Sequence, residues 1–351
     1  MFAGGLFHIR RVAMTKVDLI TGFLGSGKTT FIRKYVEYLA SKGENICILE
    51  NDYGAINVDT MLLSDMESKC DIEMVAGGCD YDCHRRRFRT KMITMAMLGY
   101  TRVIIEPSGI FDMDEFFDTL HDDPLCNMYE INNIITIVKA DLENSLTNEG
   151  DYMLSSQIAD SGIVLLSRAQ DVAESVQKET ISHINKSLEM VKCNRQFAID
   201  GEGDAGVILN KNWDEFTDED FEYISKVGYK NVSYEKHFSM DETGFESIFF
   251  MKLDMNIQEL EKKAYEIFKD NSVGNVIRVK GFVKDGDEWC ELNATAQGVN
   301  INRFKQGQNV VIVIGEKLNV ERINEYFPAD YSTMQVNENA MNTAKKIKGI
   351  N

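Results

Sequence analysis

The sequence predicts an α/β fold with a mainly parallel sheet covered by helices, followed by a smaller α+β unit. In the first half of the chain, short continuous apolar runs alternate with amphipathic runs, a pattern typical of strands that are buried on both faces. In the second half, strand-like runs follow one another with fewer helical runs between them, which favours an antiparallel sheet. With 351 residues, the chain is long enough to build both cores.

The first unit opens with a strand from about Val17, a glycine-rich turn and an amphipathic helix. The helix is predicted because its apolar residues recur at helical spacing. Those residues are Phe31, Ile32, Tyr35, Val36 and Leu39. Further strands are predicted at 45–50, 72–76, 102–106, 133–139 and 162–167, with a last edge strand at 195–199.

The remainder of the chain divides into a connector, a second unit and a tail. In the second unit, strands are predicted at 245–253, 275–283, 288–296 and 309–314, with helices at 257–268 and 320–326. The expected division is an extension at 1–13, an α/β domain at 14–212, an acidic and irregular connector at 213–236, an α+β domain at 237–330 and a flexible tail at 331–351. The extension is interpreted as non-native or disordered, because the first strand begins only three residues after Met14.

The turn after the first strand fits the pattern G-x-x-x-x-G-K-[ST], in the strand–loop–helix context that this phosphate-binding motif requires. Glycines let the backbone bend so that successive N–H groups point at phosphate oxygens, and the helix dipole adds positive charge there. Lys28 is predicted to contact the outer phosphates, and the Thr29 hydroxyl is predicted to bind Mg²⁺. The residues expected to bind the nucleotide here are Gly22, Phe23, Leu24, Gly25, Ser26, Gly27, Lys28, Thr29 and Thr30. The first unit is therefore predicted to be a P-loop NTPase domain.

Charge and cysteine content exclude several classes of partner. Acidic residues outnumber basic ones by 56 to 38, and the net charge of −18 repels nucleic acid and anionic lipid. Seven cysteines without framework spacing favour a reducing compartment. No apolar run reaches the length of about 18 residues that a transmembrane helix needs. We therefore expect a cytoplasmic protein without nucleic-acid or membrane partners, whose oligomeric state the sequence does not indicate.

Two polar positions follow predicted strands and are candidates for catalysis. Glu106 ends a buried strand, where a P-loop enzyme needs an acidic residue to help Mg²⁺ and the attacking water. Gly109 then offers a backbone N–H to the γ-phosphate. Asp52 ends the second strand, and it is interpreted equally well as a catalytic residue or as a loop aspartate that caps a turn.

Cys79, Cys83 and His84 form a candidate transition-metal site. Two thiolates four residues apart and an adjacent imidazole are suitable ligands for Zn²⁺ or another soft divalent ion. The spacing is less specific than paired CxxC motifs, so a pair of reduced structural thiols in a loop remains an alternative.

The order of these motifs resembles the CobW-like P-loop GTPases, a family of metallochaperones and metalloenzyme activators, over most of the chain. The resemblance rests on the phosphate loop, on Asn51-Asp52-Tyr53-Gly54 with Asp59, on Glu106-Pro107-Ser108-Gly109, on Ser156-Gln157-Ile158-Ala159-Asp160, on Arg278-Val279-Lys280-Gly281-Phe282 and on Ile314-Gly315. It implies a P-loop domain followed by the family's C-terminal domain, a nucleotide with Mg²⁺, and a client metalloprotein as partner.

Two motifs depart from the family pattern. The family's metal motif is Gly-Cys-x-Cys-Cys, and here only Cys79 is in register with it. The guanine motif Asn-Lys-x-Asp falls at Ser167, Arg168, Ala169 and Gln170. The family's aspartate accepts two hydrogen bonds from guanine, whereas the neutral Gln170 cannot accept both without presenting a donor. The resemblance therefore implies nucleotide binding, and leaves open whether GTP or ATP is preferred.

We expect a GTPase-like protein with slow intrinsic turnover that couples its nucleotide state to metal delivery or metalloenzyme activation. Slow turnover is expected because the sequence shows no identifiable arginine finger. One alternative is a nucleotide-gated, partner-binding protein with little hydrolysis and no metal site. A second alternative is a P-loop kinase that acts on a small molecule.

Overall fold

The computed structural model describes two sheets with their helices. The described residues are 14–23, 25–52, 63, 66, 68–76, 81–107, 113–142, 146–201, 203, 205–234, 245–251, 253, 255–286, 288–296, 298–304, 309–328 and 334–336. The predicted extension at 1–13 and most of the predicted tail lie outside this part of the chain.

Among the described residues, the first sheet has eight strands, and every neighbouring pair is parallel. The strands are β1 Thr15–Thr21, β2 Ile46–Asp52, β3 Asp71–Ala76, β4 Arg102–Pro107, β5 Tyr129–Lys139, β6 Ile163–Ser167, β7 Phe197–Ile199 and β8 Gly206–Leu209. Their order is β3-β2-β4-β1-β5-β6-β8-β7, so β1 lies in the middle of the sheet. This topology places the carboxyl ends of β1, β2 and β4 side by side, where ligand sites of open α/β sheets form.

Helices cover both faces of this sheet. They are α1 Lys28–Ser41, α2 Tyr81–Leu98, α3 Met113–His121, α4 Asn148–Ala159, α5 Glu174–Met190 and α6 Asp218–Ile224. Apolar residues of α1 pack with alternate residues of the strands, such as Ile48 and Ile104. The intervening residues, such as Leu49 and Ile105, pack with α2 and α3 on the opposite face. Burial on both faces explains why these strands read as continuous apolar runs.

In the part of the chain that the structure describes, the second sheet has six strands, all antiparallel, in the order β12-β11-β10-β13-β9-β14. The strands are β9 Phe245–Met251, β10 Asn275–Asp285, β11 Glu288–Thr295, β12 Gly298–Phe304, β13 Val310–Glu316 and β14 Met334–Val336, and the helices are α7 Ile257–Ile267 and α8 Val320–Tyr326. Both helices pack on one face of the sheet and form a core with Phe250, Val279 and Val313. The two sheets confirm the predicted fold class.

The segment predicted as an irregular connector contains helix α6, so that description is wrong for residues 218–224. Thr217 and Asp220 form a capping box at the start of the helix. Phe221 and Ile224 are buried in the core that contains α1. Strands β8, β12 and β14 were also not predicted, and β14 pairs with β9, so the description of 331–351 as a flexible tail is wrong for residues 334–336. No helix among the described residues is long and apolar enough to cross a membrane.

Candidate functional site

The glycines of the phosphate loop adopt backbone conformations that other residues rarely adopt. The φ angles are 145° at Gly22, 74° at Gly25 and 101° at Gly27. A Cβ atom at Gly22 would lie 2.2 Å from the carbonyl oxygen of Ile137, so no side chain fits there. The loop is anchored by Phe23, which is buried with residues of β5 and α4, whereas Leu24 lies outside the described residues.

Hydrogen-bond donors gather inside this loop. Lys28 begins α1 and is 8% exposed, and its Nζ donates to the carbonyl oxygen of Gly22 over 2.9 Å. Ser26 is 2% exposed, and its Oγ has no hydrogen-bond partner among the described residues. A buried hydroxyl without a partner requires an explanation such as a missing ligand. An ammonium, a hydroxyl and the amino end of a helix form a donor set that fits phosphate.

The predicted magnesium ligands lie next to each other. The Thr29 hydroxyl donates to Oε1 of Glu106 over 3.0 Å. Glu106 is 5% exposed and stands near the carboxyl end of β4. Hydroxyl and carboxylate oxygens are hard ligands of the type that Mg²⁺ prefers, so the residues present fit this ion. Thr30 lies beside them on the first turn of α1, where it is exposed.

A second carboxylate at this end of the sheet was not singled out from the sequence. Glu50 is 2% exposed and lies opposite Glu106 in the parallel register of β2 and β4. Paired positions of neighbouring parallel strands face the same side of a sheet, so the two carboxylates concentrate negative charge beside Thr29. The available signal was that Glu50, like Glu106, ends a buried apolar run.

Several predicted residues are only partly described. Asp52 ends β2, and only its backbone is described. The same holds for Cys83, which lies in the first turn of α2. Cys79 and Gly109 lie outside the described residues. The catalytic role of Asp52 and Gly109 and the metal-binding role of the two cysteines therefore stay predictions.

His84, the third predicted metal ligand, is buried within the domain. Its side chain is 1% exposed, and its Nε2 lies 2.8 Å from Oδ1 of Asn51. One ring nitrogen is therefore already engaged with β2. Within the described part of the chain, no group of three His, Cys, Asp or Glu residues is placed to hold a metal ion.

The loop at the end of β6 lies on the other side of the phosphate loop. Ser167 is buried, and the exposed Arg168 adopts a left-handed conformation with a φ of 54°. Gln170 is exposed, and its Nε2 lies 3.5 Å from Oδ2 of Asp171. Neither residue is held by the core, so both side chains are accessible to a base.

Trp213 borders the phosphate loop and was not singled out from the sequence. A Cβ atom at Gly27 would lie 3.5 Å from the Trp213 ring and 3.7 Å from Cβ of Ser167. The ring also packs edge-on against Phe31 of α1. Its proximity to the loop depends on the path of the chain after β8, which no local sequence signal indicates.

Comparison with known proteins places these features in a family. The model of the CobW/HypB/UreG nucleotide-binding domain matches residues 16–198. The zinc chaperone YjiA of Escherichia coli (strain K12) is 24% identical over 278 residues, which are 76% of this chain and 81% of that protein. The zinc chaperone YeiR of the same organism is 36% identical over 110 residues, which are 30% of this chain and 32% of that protein. The solved structure of Zn(II)-bound YjiA GTPase from E. coli aligns with 89% of this chain and 98% of its own, at 18% identity and a TM-score of 0.35.

The matched region extends from β1 to β7 and contains the phosphate loop, Glu106 and the β6 loop. It covers more than half of the 351 residues. The predicted resemblance is thereby confirmed. This chain belongs to the CobW/HypB/UreG family of P-loop nucleotide-binding proteins.

Proposed function

We propose that this chain binds a Mg²⁺–nucleoside triphosphate at its phosphate loop, hydrolyses it slowly, and uses the nucleotide state to control metal delivery to a client metalloprotein. The observation that carries the proposal is the contact between Thr29 and Glu106 beside the donor-lined loop. It joins a residue beside the proposed phosphate ligands to a carboxylate at the carboxyl edge of the sheet, which supports a magnesium site there. That arrangement is the one that P-loop triphosphatases need.

Each residue has a role in this proposal. Lys28 and the loop amides neutralise the phosphate charge, and Thr29 holds Mg²⁺, which supplies further neutralisation when bound. Glu106 orients Thr29 and accepts hydrogen bonds from water at the magnesium end of the site. Gly109, which comes two residues after β4 in the sequence, is proposed to contact the γ-phosphate. Asp52, the last residue of β2, is proposed to contact the attacking water.

The proposed nucleotide is GTP, with ATP as the competing ligand. Membership of a GTPase family supports GTP. The exposed Gln170 at the position of the family's aspartate supports only weak discrimination, because an amide offers one donor and one acceptor where guanine presents two donors. Arg168 and Ser167 are proposed to line the base and ribose end of this site.

The proposed cargo is a transition metal of the zinc class, treated as substrate rather than resident cofactor. Relatives of this chain are named zinc chaperones, which supports this choice. Cys79 and Cys83 are the proposed ligands, because thiolates are good ligands for such ions. His84 contributes only if its second ring nitrogen is used, since Nε2 lies against Asn51.

A second function is favoured by the position of His84. Because that imidazole is buried and its Nε2 is bonded to Asn51, only Nδ1 remains as a candidate ligand atom, which favours a chain without a metal site. The chain then acts as a nucleotide-gated partner-binding protein with little hydrolysis and no metal site.

The test is a side-by-side titration of metal-free protein with GTP and ATP by calorimetry, with and without Mg²⁺, followed by phosphate-release assays. We expect Mg²⁺-dependent binding and slow phosphate release. The amount of bound metal per chain is then measured for wild type and for the double variant Cys79→Ser, Cys83→Ser. A lower amount in the variant supports metal delivery, whereas equal amounts favour the partner-binding protein without a metal site. Absence of binding heat with both nucleotides would refute the proposal.

A further inference from the structure

Asn51 and His84 connect two elements that the proposed function requires to act together. Asn51 is the penultimate residue of β2, directly before Asp52, and His84 follows Cys83 in the first turn of α2. Their side chains are 2% and 1% exposed, and Oδ1 and Nε2 are 2.8 Å apart. The amide oxygen only accepts, so Nε2 of the imidazole is the donor. Because both groups are shielded from solvent, water cannot readily replace this bond if one end moves.

The end of β2 also carries a residue on the face of the sheet where the nucleotide is proposed to bind. Glu50 faces the same side as Glu106, and Glu106 accepts a hydrogen bond from Thr29 of the phosphate helix. The next residue, Asn51, points to the opposite face, because successive side chains of a strand alternate. The end of β2 therefore places Glu50 on the face of the sheet that carries Thr29 and Glu106, and Asn51 on the face where it bonds His84 of α2.

We propose that Asn51 and His84 are positioning residues that transmit the nucleotide state from the phosphate site to the start of α2, where the cysteine motif lies. This inference rests on the proposed function, since it needs a nucleotide to bind at the phosphate loop. A change at the magnesium end shifts the end of β2, and the buried bond carries that shift to the first turn of α2. Three observations carry the proposal: the hydrogen bond from Thr29 to Glu106, the register that pairs Glu106 with Glu50 on the adjacent strand, and the Asn51–His84 hydrogen bond one residue further along that strand.

The test measures amide hydrogen exchange of the whole chain with and without Mg²⁺ and a non-hydrolysable GTP analogue. In wild type, nucleotide should slow exchange in the phosphate loop and also, at least threefold, in residues 81–90. In His84→Leu the loop should still respond, whereas the response of residues 81–90 should be lost. His84→Gln, which retains a donor, should restore it.

Two further variants control for poor folding and for the general effect of removing a buried polar group. The double variant Asn51→Leu, His84→Leu removes both partners of this bond, so the Asn51 carboxamide is not left without its partner if the single variant folds poorly. Thr119→Val is the matched control, because Thr119 is 1% exposed and its Oγ1 has no hydrogen-bond partner among the described residues. It should leave both responses unchanged.

The outcomes separate this inference from the proposed function. If the loop responds but residues 81–90 do not respond in wild type, or if residues 81–90 respond in His84→Leu and in the double variant as strongly as in wild type, the transmission proposal is wrong while nucleotide binding stands. If neither region responds in wild type, the proposed function fails and this inference fails with it.

Discussion

The two ends of the parallel sheet use buried charge in opposite ways. At the amino end of β4, Arg102 donates over 2.6 Å to Asp18, a fully buried residue in the middle of β1 that also accepts a hydrogen bond from Tyr35 over 2.9 Å. Asn132 and Asn133 also donate to this carboxylate. Burial, together with the neighbouring Asp18 carboxylate, raises the pKa of Tyr35 well above its usual value, so its phenol stays a donor.

At the carboxyl end, the polar groups are those proposed to bind the nucleotide and Mg²⁺. The Lys28 ammonium rests on the loop carbonyl of Gly22, and the Ser26 hydroxyl has no hydrogen-bond partner among the described residues. The carboxylates of Glu50 and Glu106 lie on paired positions. We interpret the internally matched charges as holding the fold, and the donors and acceptors at the carboxyl edge as the proposed ligand site. Stability and nucleotide binding should therefore respond to different substitutions.

The largest expected effect is on stability, from Arg102→Leu. Removing the guanidinium leaves the Asp18 carboxylate buried without its cation, which typically costs about 3–5 kcal/mol. Urea unfolding followed by circular dichroism should show this loss in the free energy of unfolding. Nucleotide affinity of the folded fraction should be preserved.

The matched control for Arg102→Leu is Arg303→Leu. Arg303 forms a 2.7 Å ion pair with Glu288 in which both side chains are largely exposed. Such pairs are screened by solvent, so we expect no measurable change in the unfolding midpoint. Equal losses in the two variants would contradict the idea that the amino-end network holds the fold.

The next effect is on binding, from Lys28→Ala. A hydrogen bond to a charged group contributes about 1.5–3 kcal/mol, so affinity for the triphosphate should fall about 10- to 100-fold. The melting temperature without ligand should change little. Lys34→Ala is the control, because Lys34 lies in the same helix but pairs with Asp214 on the surface. Calorimetry with GTP that shows equal affinity for Lys28→Ala and wild type would remove the phosphate assignment.

The comparison also shows what the sequence could reveal. Strand β4 was predictable because Val103, Ile104 and Ile105 form a continuous apolar run buried on both faces. Strand β12 alternates apolar residues with asparagines at the edge of its sheet, so it lacked that signal. Helix α6 was hidden by its acidic first turn, which complements the helix dipole but resembles a solvated linker.

The same limit applies within the site. The phosphate loop is a local motif, so its residues could be named from the sequence alone. The pairing of Glu50 with Glu106 depends on β2 lying next to β4, and the bond of His84 to Asn51 depends on α2 packing over β2. Contacts of this kind depend on strand order and helix packing, and the local sequence around each residue does not determine either of them.

A smaller effect is expected from Glu106→Gln at the magnesium end. The amide keeps an acceptor for the Thr29 hydroxyl but removes the negative charge, so the Mg²⁺ concentration for half-maximal nucleotide binding should rise about tenfold, a change of about 1.4 kcal/mol. The measurement is a Mg²⁺ titration at fixed GTP. A response identical to wild type would show that Glu106 supports Thr29 only structurally.

The smallest effect is expected at the base end, from Gln170→Asp. Two acceptor oxygens there can receive both donors of the guanine edge, and one added net hydrogen bond contributes about 0.5–1.5 kcal/mol. The ratio of GTP to ATP affinity should therefore rise about 3- to 10-fold in parallel calorimetric titrations. Gln258→Asp is the control for added charge, because Gln258 is exposed on α7 in the second domain. If both variants change the ratio equally, the loop after β6 does not contact the base, and selectivity arises elsewhere along the carboxyl edge.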